Sequence, residues 1–408
     1  MPILLQINVD ANNGSNGSIA RDIGDIALSK GWRSVIVYGR KHIPSRSELI
    51  RVGNDWDVRW HGLFTRLTDL HGLGSYFATK RLVKKIKELN PNIIHLHNIH
   101  GYYINYKILF DFINKHNIPV VWTFHDCWPF TGHCSHYIGY NCYKWISSCN
   151  NCPARTDYPT SWFVDNSSFN FTLKRSLFTR PKKLAVVTVS NWLKSVTDQS
   201  FFSKYPVTVI YDGIDTDSFR YRQSDLKVKL GIEGKYVLMS AAANWSTSKG
   251  WDDYLKVASQ LPQKYIIILI GVTSEQQKTL PPNIIGIQRV EGKEKLAEFY
   301  SIADVLLNLS YAETFGMTTA EAMACGTPGI SYNITACPEL LTKDTGLVVE
   351  PGDIGGVLNA IDIMTKKGRL SYSDACRSRV LSNFDFKKVN NQYFDIYEQL
   401  INEFNDKL

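Results

Sequence analysis

Short apolar runs alternate with longer amphipathic stretches along the first half of the chain. The runs are rich in Val and Ile and are bounded by turn-forming residues, which is typical of buried strands. They lie at residues 3–9, 34–38, 92–96, 120–124, 184–189 and 207–211. Helical patterns between several of them lie at 18–30, 75–89 and 103–115. Strands that alternate with helices predict a doubly wound parallel sheet, whose ligand crevice lies beyond the carboxyl ends of the strands.

The second half of the chain repeats this alternation. Strands are predicted at 236–240, 265–271, 283–288, 304–309, 329–332 and 347–349. The 408 residues are too many for one compact core and suit two domains of about 200 residues each. We therefore predict two α/β domains, joined by a linker near 212–225, where Asp212 and Gly213 favour a turn.

Two carboxylates frame the stretch that carries the functional prediction. Glu313 follows an apolar run, and Glu321 lies in a helix predicted to begin near Gly316 and to stop before Pro328. Backbone amides in the first turn of a helix lack an internal acceptor, and with the helix dipole they attract an anion. A phosphate there, with carboxylates nearby for hydroxyl groups, predicts a sugar-nucleotide site. The amides are those of Phe315, Gly316, Met317 and Thr318.

The residues from Glu313 to Pro328 also carry a family resemblance. Two glutamates separated by seven residues, followed by Ala-Met-Ala-Cys-Gly-Thr-Pro, resemble the signature of retaining glycosyltransferases of family 4, which have the GT-B fold. The resemblance covers nearly the whole chain and is tightest with bacterial enzymes that build capsular, colanic-type or O-antigen polysaccharides. It implies an acceptor domain at 1–211, a nucleotide-sugar domain at 212–385, and a helix at 386–408 that crosses back to the first domain.

The resemblance implies a role for several residues that follow the predicted strands. His125 would contact the donor sugar near the reacting carbon, and Glu313 would bind hydroxyl groups of that sugar. Lys249 would hold the β-phosphate as a point charge. His125, Glu313 and Lys249 are thus the predicted catalytic residues. Glu321 would bind the ribose hydroxyls, and Gly17 would contact the donor phosphates or the acceptor.

Three further polar residues belong to the predicted substrate site. Asp126 is expected either to orient His125 or to help place the acceptor. Family members usually carry an arginine at the position of Asn244, so this chain has one cation fewer for the diphosphate. Arg289 or the predicted helix N-terminus is expected to compensate.

Five cysteines fall within a short segment that follows the fourth predicted strand. Four of them have the spacing Cys-x7-Cys-x6-Cys-x2-Cys, which in a reducing compartment suggests a structural tetrahedral zinc site. His133 or His136 could replace one ligand, and free thiols or disulfides are the alternatives. The family at large lacks this insert, at about 127–152. The predicted ligands are Cys134, Cys142, Cys149 and Cys152.

Charge is distributed unevenly between the two halves. Residues 1–210 hold 25 Lys/Arg and 13 Asp/Glu, whereas the remainder holds 21 and 25. The basic half predicts an anionic acceptor or surface, or else a solvated basic face, and no nucleic-acid recognition motif accompanies it. Aromatic and basic residues mix at 55–66, before the basic helix at 80–87, which suits either a membrane interface or an ordinary helix pair.

No apolar run approaches the roughly 20 residues that cross a bilayer. The N-terminus reads as a buried strand and not as a signal peptide, so the expected location is the cytoplasm, with peripheral contact to the inner face of the membrane. The expected partners are a nucleotide-sugar donor and a glycan or polyprenyl-linked acceptor.

The predicted reaction is a retaining glycosyl transfer that requires no catalytic metal. The departing phosphate would take the acceptor's proton on the same face of the sugar. One alternative is a nucleotide-sugar epimerase on the same fold, and another is a non-catalytic protein that binds sugar nucleotides or polysaccharide.

Overall fold

The structure is a computed structural model that describes residues 1–405, so the last three residues of the predicted C-terminal segment lie outside it. The chain forms two compact units. The first comprises Met1–Ile210 and the segment from Val389 onward, and the second comprises Tyr211–Lys388. Each unit contains a parallel sheet with helices between its strands, so the predicted α/β class is confirmed.

The first unit contains a seven-stranded parallel sheet of order β3-β2-β1-β4-β5-β6-β7. Its strands are β1 Ile3–Asn8, β2 Arg33–Tyr38, β3 Glu48–Arg51, β4 Ile93–Leu96, β5 Val120–Phe124, β6 Leu184–Thr188 and β7 Val207–Val209. Its helices are α1 Gly14–Ser29, α2 Asp55–Thr68, α3 Tyr76–Leu89, α4 Tyr106–His116, α5 Ser167–Phe178 and α6 Asn191–Thr197.

The second unit contains a six-stranded parallel sheet of order β10-β9-β8-β11-β12-β13. Its strands are β8 Tyr236–Ala241, β9 Tyr265–Ile270, β10 Ile284–Ile287, β11 Val305–Asn308, β12 Gly329–Tyr332 and β13 Gly346–Val349. Its helices are α7 Leu226–Lys229, α8 Trp251–Gln260, α9 Ser274–Lys278, α10 Lys293–Ile302, α11 Met317–Ala324, α12 Ile354–Lys367 and α13 Leu370–Asn383. The last helix of the chain, α14, spans Phe386–Asn405.

The most hydrophobic strands lie in the middle of each sheet, because helices cover both of its faces. In β9, Tyr265–Ile270, all six residues are buried, and the same holds for the five residues of β5. The edge strand β3 escaped the sequence prediction, since it is short and carries charged residues at both ends. Neither its length nor its composition distinguishes it from a loop.

The last helix closes the core of the first unit. Phe394 packs edge-on against Trp32, with ring centroids 5.5 Å apart. The hydroxyl group of Tyr397 lies 2.6 Å from Nδ1 of His95, and that of Tyr393 accepts a hydrogen bond from Oγ1 of Thr123 at 3.2 Å. Buried aromatic rings with satisfied hydroxyl groups explain why this helix packs with one fixed face inward.

In each sheet the strand numbers first fall and then rise from one edge to the other. The reversal lies between β1 and β4 in the first unit and between β8 and β11 in the second. At such a switch point the loops after the two central strands diverge to opposite faces, which leaves a crevice. The loops after β1, β4 and β5 and those after β8 and β11 are therefore the places to examine for chemistry.

Candidate functional site

Lys249 and Glu313 meet at the switch point of the second unit. Lys249 follows β8 and Glu313 follows β11, and Nζ of the lysine lies 2.6 Å from Oε1 of the glutamate. The backbone amide of Tyr311 donates to the carbonyl of Ser248 at 2.9 Å and ties the two loops together. Both side chains keep some contact with solvent, at 33% and 19% exposure, so they are accessible to a ligand.

Gly250 permits this close approach of the two loops. Its φ is +74°, and a Cβ atom there would lie 2.1 Å from the carbonyl oxygen of Leu309, at the end of β11. Any side chain would therefore push the turn that carries Lys249 away from the loop that carries Glu313. The glycine therefore helps to fix the position of the lysine.

The loop after Glu313 leads directly into α11, as the sequence predicted. Gly316 is the N-cap with φ +104°, and the amides of Met317 and Thr318 lie in the first turn, where a helix has no internal acceptor. Phe315 is buried, with its ring 5.9 Å from that of Tyr211. This packing anchors the loop so that the helix N-terminus stays beside Glu313.

Glu321 lies inside α11, where the hydroxyl group of Tyr300 donates to its Oε2 at 2.9 Å. Burial raises the pKa of Glu321 to about 7, against the lowering effect of Tyr300 and Lys293. The carboxyl group is thus held in place by a tyrosine and is only partly ionised near neutral pH. A ligand that donates hydroxyl hydrogens to it would favour the ionised form.

Asn244 and Arg289 contribute less to this cluster. Asn244 is exposed in the loop after β8, on the same connection as Lys249. Arg289 follows β10, which is separated from β8 by β9, and its side chain is 83% exposed. Its Nε lies 3.9 Å from Oε1 of Glu291, a separation typical of a weak surface pair.

In the first unit, His125 lies at the end of β5 within a chain of buried polar groups. Its Nε2 is 3.2 Å from Nδ1 of His97, whose Nε2 is 3.1 Å from Oε1 of Gln6. Burial lowers the pKa of His125 to about 4, against the raising effect of the neighbouring Asp126. The imidazole is therefore neutral at pH 7 and acts as a hydrogen-bonding group.

Asp126 is paired with His100, which the sequence analysis did not connect with it. Oδ2 of Asp126 lies 2.8 Å from Nε2 of His100, and Oδ1 accepts the amide of Trp128 at 2.9 Å. Burial raises the pKa of Asp126, but His100 and the amide outweigh it and hold that pKa near 2. Nδ1 of His100 meets the hydroxyl group of Tyr158 at 3.0 Å.

Gly17 lies in the first turn of α1, after the loop that follows β1. Its carbonyl oxygen accepts the amide of Asn12 at 3.1 Å, and a Cβ atom on Gly17 would lie 3.1 Å from that same amide nitrogen. The small residue keeps the loop folded tightly onto the start of the helix. The predicted contact with phosphate or acceptor stays a prediction.

Several residues that support the site were not identified from the sequence, because their role depends on contacts between segments that lie far apart in the chain. The side chain of Thr335 accepts the amide of Glu313 at 3.1 Å, and Tyr300 holds Glu321. Thr335 and Tyr300 carry no local motif. His97 and His100 belong to the histidine-rich run at residues 95–100, at the end of the third predicted strand, and this run is the signal that could have found them.

Two negative observations apply to the described residues, 1–405. In their present conformations, no three side chains of His, Cys, Asp or Glu lie close enough together to hold a metal ion. Every helix in this range is too short or too polar to cross a membrane.

Two protein-family models match the chain, one for each half. Residues 29–218 match "Glycosyltransferase Family 4", and residues 222–377 match "Glycosyl transferases group 1". Among curated proteins, the chain is 24% identical over 382 residues to WcaC of Escherichia coli K12, which carries the name of a colanic acid biosynthesis glycosyl transferase. That alignment covers 86% of this chain and 88% of WcaC.

Solved structures of similar fold cover almost the entire chain. Sucrose-phosphate synthase of Thermosynechococcus elongatus superposes with a TM-score of 0.72 at 17% identity, over 99% of this chain and 100% of that one. HepE of Anabaena, solved in complex with UDP, superposes with a TM-score of 0.68 at 16% identity, over 98% and 100%. At these identities the likeness concerns the fold.

Proposed function

The chain belongs to the family-4 glycosyltransferases with the GT-B fold, and on that premise we propose that it transfers a sugar from a nucleotide-sugar donor with retention of configuration. The proposed acceptor is a glycan or a polyprenyl-linked glycan used to build a bacterial surface polysaccharide. The name of WcaC supports this acceptor class, and the complex of HepE with UDP supports a nucleotide as the leaving group.

The contact between Lys249 and Glu313 is the observation that carries the proposal. It puts a cation and a carboxylate side by side at the crevice of the second sheet, beside the N-terminus of α11. In our proposal, Lys249 and the amides of Phe315, Gly316, Met317 and Thr318 bind the diphosphate. Negative charge grows on that group as the glycosidic bond breaks, so donors already in place lower the barrier.

The two glutamates would divide the remaining recognition between them. Glu313 would accept hydroxyl hydrogens from the donor sugar, while Lys249 beside it holds the carboxyl group in place. Glu321, already held by Tyr300, would accept the ribose hydroxyls. Asn244 on the same loop as Lys249 would contribute hydrogen bonds but no charge, and exposed Arg289 would supply at most a distant cation.

No enzyme nucleophile is needed in the proposed step. The bond from the anomeric carbon to the leaving phosphate breaks, and the acceptor hydroxyl attacks from the same face. The acceptor's proton passes to a phosphate oxygen, so charge and atoms balance. Neutral His125 would donate or accept a hydrogen bond at the donor sugar, while Asp126 and Gly17 would help to place the substrates. Lys249 and the helix amides supply the positive charge, so we propose that this chemistry is metal-independent.

An exposed set of aromatic side chains in the first unit suggests where a lipid-linked acceptor would be reached. Trp56, Trp60 and Phe64 recur every four residues along α2 and share one face, with Trp60 at 66% exposure. The guanidinium group of Arg59 lies over the ring of Trp56, at 5.2 Å. Tryptophan flanked by arginine is the composition of an interfacial helix.

Two neighbouring segments enlarge this face. Ser75, at the start of α3, is 2.9 Å from Nδ1 of His61, which brings exposed Phe77 beside α2. The amide of Trp162 donates to the carbonyl of Arg66 at 2.8 Å, which brings the loop of Trp162 and Phe163 to the end of α2. We call this set the aromatic surface and propose that it touches anionic membrane. Its members are Trp56, Trp60, Phe64, Phe77, Trp162 and Phe163.

The transfer is tested with purified protein, radiolabelled UDP- and GDP-sugars, and bacterial membranes as the source of acceptor. We expect one donor to be consumed, with the anomeric configuration of the new bond identical to that of the donor by NMR. Glu313→Gln should lower kcat by a factor on the order of 100–1,000, because it removes charge from the site without removing its shape.

Glu291→Gln is the matched control, since the side chain of Glu291 is 85% exposed and lies outside the cluster. It should retain the activity of the wild-type protein. Donor binding without any hydrolysis or transfer would contradict the proposal and favour a binding protein. Inversion of the anomeric centre would refute the retaining mechanism but not the transferase activity.

A further inference from the structure

The cysteine-rich segment after β5 encloses a small cavity whose walls the transferase site does not use. Four cysteines line it, together with His133. Its volume of about 20 Å³ suits a single ion and excludes an organic molecule. The lining cysteines are Cys134, Cys142, Cys149 and Cys152.

One of the thiols around this cavity accepts a hydrogen bond from the backbone. The amide of Gly132 donates to Sγ of Cys149 at 3.2 Å. Amide donors to cysteine sulfur are a common feature of thiolate–metal sites, because they stabilise the negative charge.

His133 supplies a second and independent observation. Its Nδ1 lies 2.5 Å from Oδ1 of Asp69, and both side chains are fully buried. Its Nε2 is also buried and has no hydrogen-bond partner among the described residues. A buried nitrogen without a partner on the wall of a cysteine-lined cavity needs a polar neighbour there, and a thiolate of a metal site would supply one.

A buried lysine fixes the backbone that leads into Cys134. Lys174 is 1% exposed, and its Nζ donates to the carbonyls of Trp128 and Thr131 at 2.8 Å and 3.1 Å. These contacts hold the chain in place on one side of the cavity.

The segment also contains little regular secondary structure. Between β5 and α5 the described chain forms only short 3₁₀ helices, at Trp128–Phe130, Ile138–Tyr140 and Lys144–Ile146. Loops of this length without strands or long helices are uncommon in compact domains, and a bound metal is one means of ordering them. The segment begins directly after His125 and Asp126, so a well-ordered segment helps to hold both residues in position.

We propose that Cys134, Cys142, Cys149 and Cys152 bind one structural zinc ion, with His133 beside them as a hydrogen-bonding neighbour. The four sulfurs surround the cavity without yet meeting at one point, and binding would draw them to about 2.3 Å from the metal. The thiol protons are released to solvent as the ion binds. The proposal does not depend on the transferase activity.

The first experiment measures metal in the whole protein, expressed with added zinc and purified through a tag that contains no histidine. We expect about one zinc per chain by elemental analysis. Titration with an organomercurial should release the zinc as the thiols react. Cobalt exchanged into the site should give the absorption bands of a tetrahedral thiolate complex. A disulfide among the four cysteines in freshly purified protein, or less than about half an equivalent of zinc, would overturn the proposal.

Variants then define the ligand set. Cys142→Ser and Cys149→Ser should each lose most of the metal, whereas Cys127→Ser is the matched control, because Cys127 is buried in the same segment but does not line the cavity. His133→Gln should retain the zinc. Loss of metal from His133→Gln with retention in Cys142→Ser would overturn the all-cysteine ligand set. If a cysteine variant fails to fold, the cobalt spectrum of wild-type protein still decides between sulfur and nitrogen ligands.

Discussion

Glu313 and Glu321 lie close together in the chain but in different electrostatic surroundings. Glu313 is paired with Lys249, whereas Glu321 is partly buried beside Tyr300, and burial raises its pKa to about 7. A residue whose charge depends on its surroundings in this way can respond to a ligand. From the sequence we predicted a different ligand group for each glutamate, and the structure adds the difference in their electrostatic surroundings.

The raised pKa of Glu321 makes a prediction about stability and pH. The folded state holds the proton more tightly than the unfolded state, so this group stabilises the fold at low pH and loses that effect as pH rises through about 7. Glu321→Gln should therefore gain stability relative to wild type between about pH 5 and pH 8, by on the order of 1–2 kcal/mol. Chemical unfolding followed by fluorescence at several pH values measures this.

Glu291→Gln serves as the control for Glu321→Gln, since its exposed carboxyl group should not change the slope of stability against pH. Parallel curves for wild type and Glu321→Gln would show that the carboxyl group is solvated and titrates normally. In that case Glu321 would not have to release a proton when it binds the ribose hydroxyls.

At the scale of elements, one loop–loop contact determines the site in the second unit. The turn that carries Lys249 and the loop that carries Glu313 come from neighbouring strands, and Gly250 lets them touch at Leu309. Local sequence can predict a strand and a turn, but the distance between two loops depends on sheet order. β8 and β11 become neighbours only through the switch in that order.

Gly250→Ala tests this contact. The new Cβ atom would meet the Leu309 carbonyl in addition to the strain of φ +74°, so we expect a loss of about 2–3 kcal/mol of unfolding free energy and at least a tenfold loss of donor affinity. Gly231→Ala is a matched control with φ +64° and open space around its Cβ position. It should lose about 1 kcal/mol and keep its donor affinity. Equal effects of the two variants on binding would contradict the proposed role of Gly250.

At the scale of the whole molecule, charge and exposed aromatic area belong to the same half of the chain. Residues 1–210 carry the excess of lysine and arginine, and the aromatic surface lies there too. An amphipathic face with basic residues at its edge binds anionic lipid by insertion and by charge attraction. Neither property alone distinguishes a membrane contact from an ordinary solvated surface.

Vesicle sedimentation tests the aromatic surface. The protein should bind vesicles that contain anionic lipid and should bind less well at high salt. Replacing Trp60 and Phe77 together by serine should weaken binding by about tenfold. Leu370→Ser is the control, because Leu370 is 83% exposed but belongs to the second unit. Unchanged binding by the double variant would refute the membrane contact and leave the transferase proposal intact.

Most of the fold could be predicted from the sequence, because apolar runs of strand length report burial directly. β5, Val120–Phe124, and β12, Gly329–Tyr332, have the predicted limits, and the other predicted strands differ from prediction by one or two residues at their ends. The edge strand β3 was missed because a strand that is paired on one side only need not be apolar. The start of α11, with Gly316 as its N-cap, could be predicted from that glycine and from the helix-forming residues that follow it.

The candidate site was less predictable, and the difference has a physical cause. Chemical types and turn signals are local, so the sequence by itself determined the two α/β units, the helix N-terminus after Glu313 and the candidate residues at the strand ends. Contacts between side chains from separate strands depend on sheet order and on packing. Only the tertiary structure therefore decided that Lys249 pairs with Glu313, Tyr300 with Glu321 and Asp126 with His100.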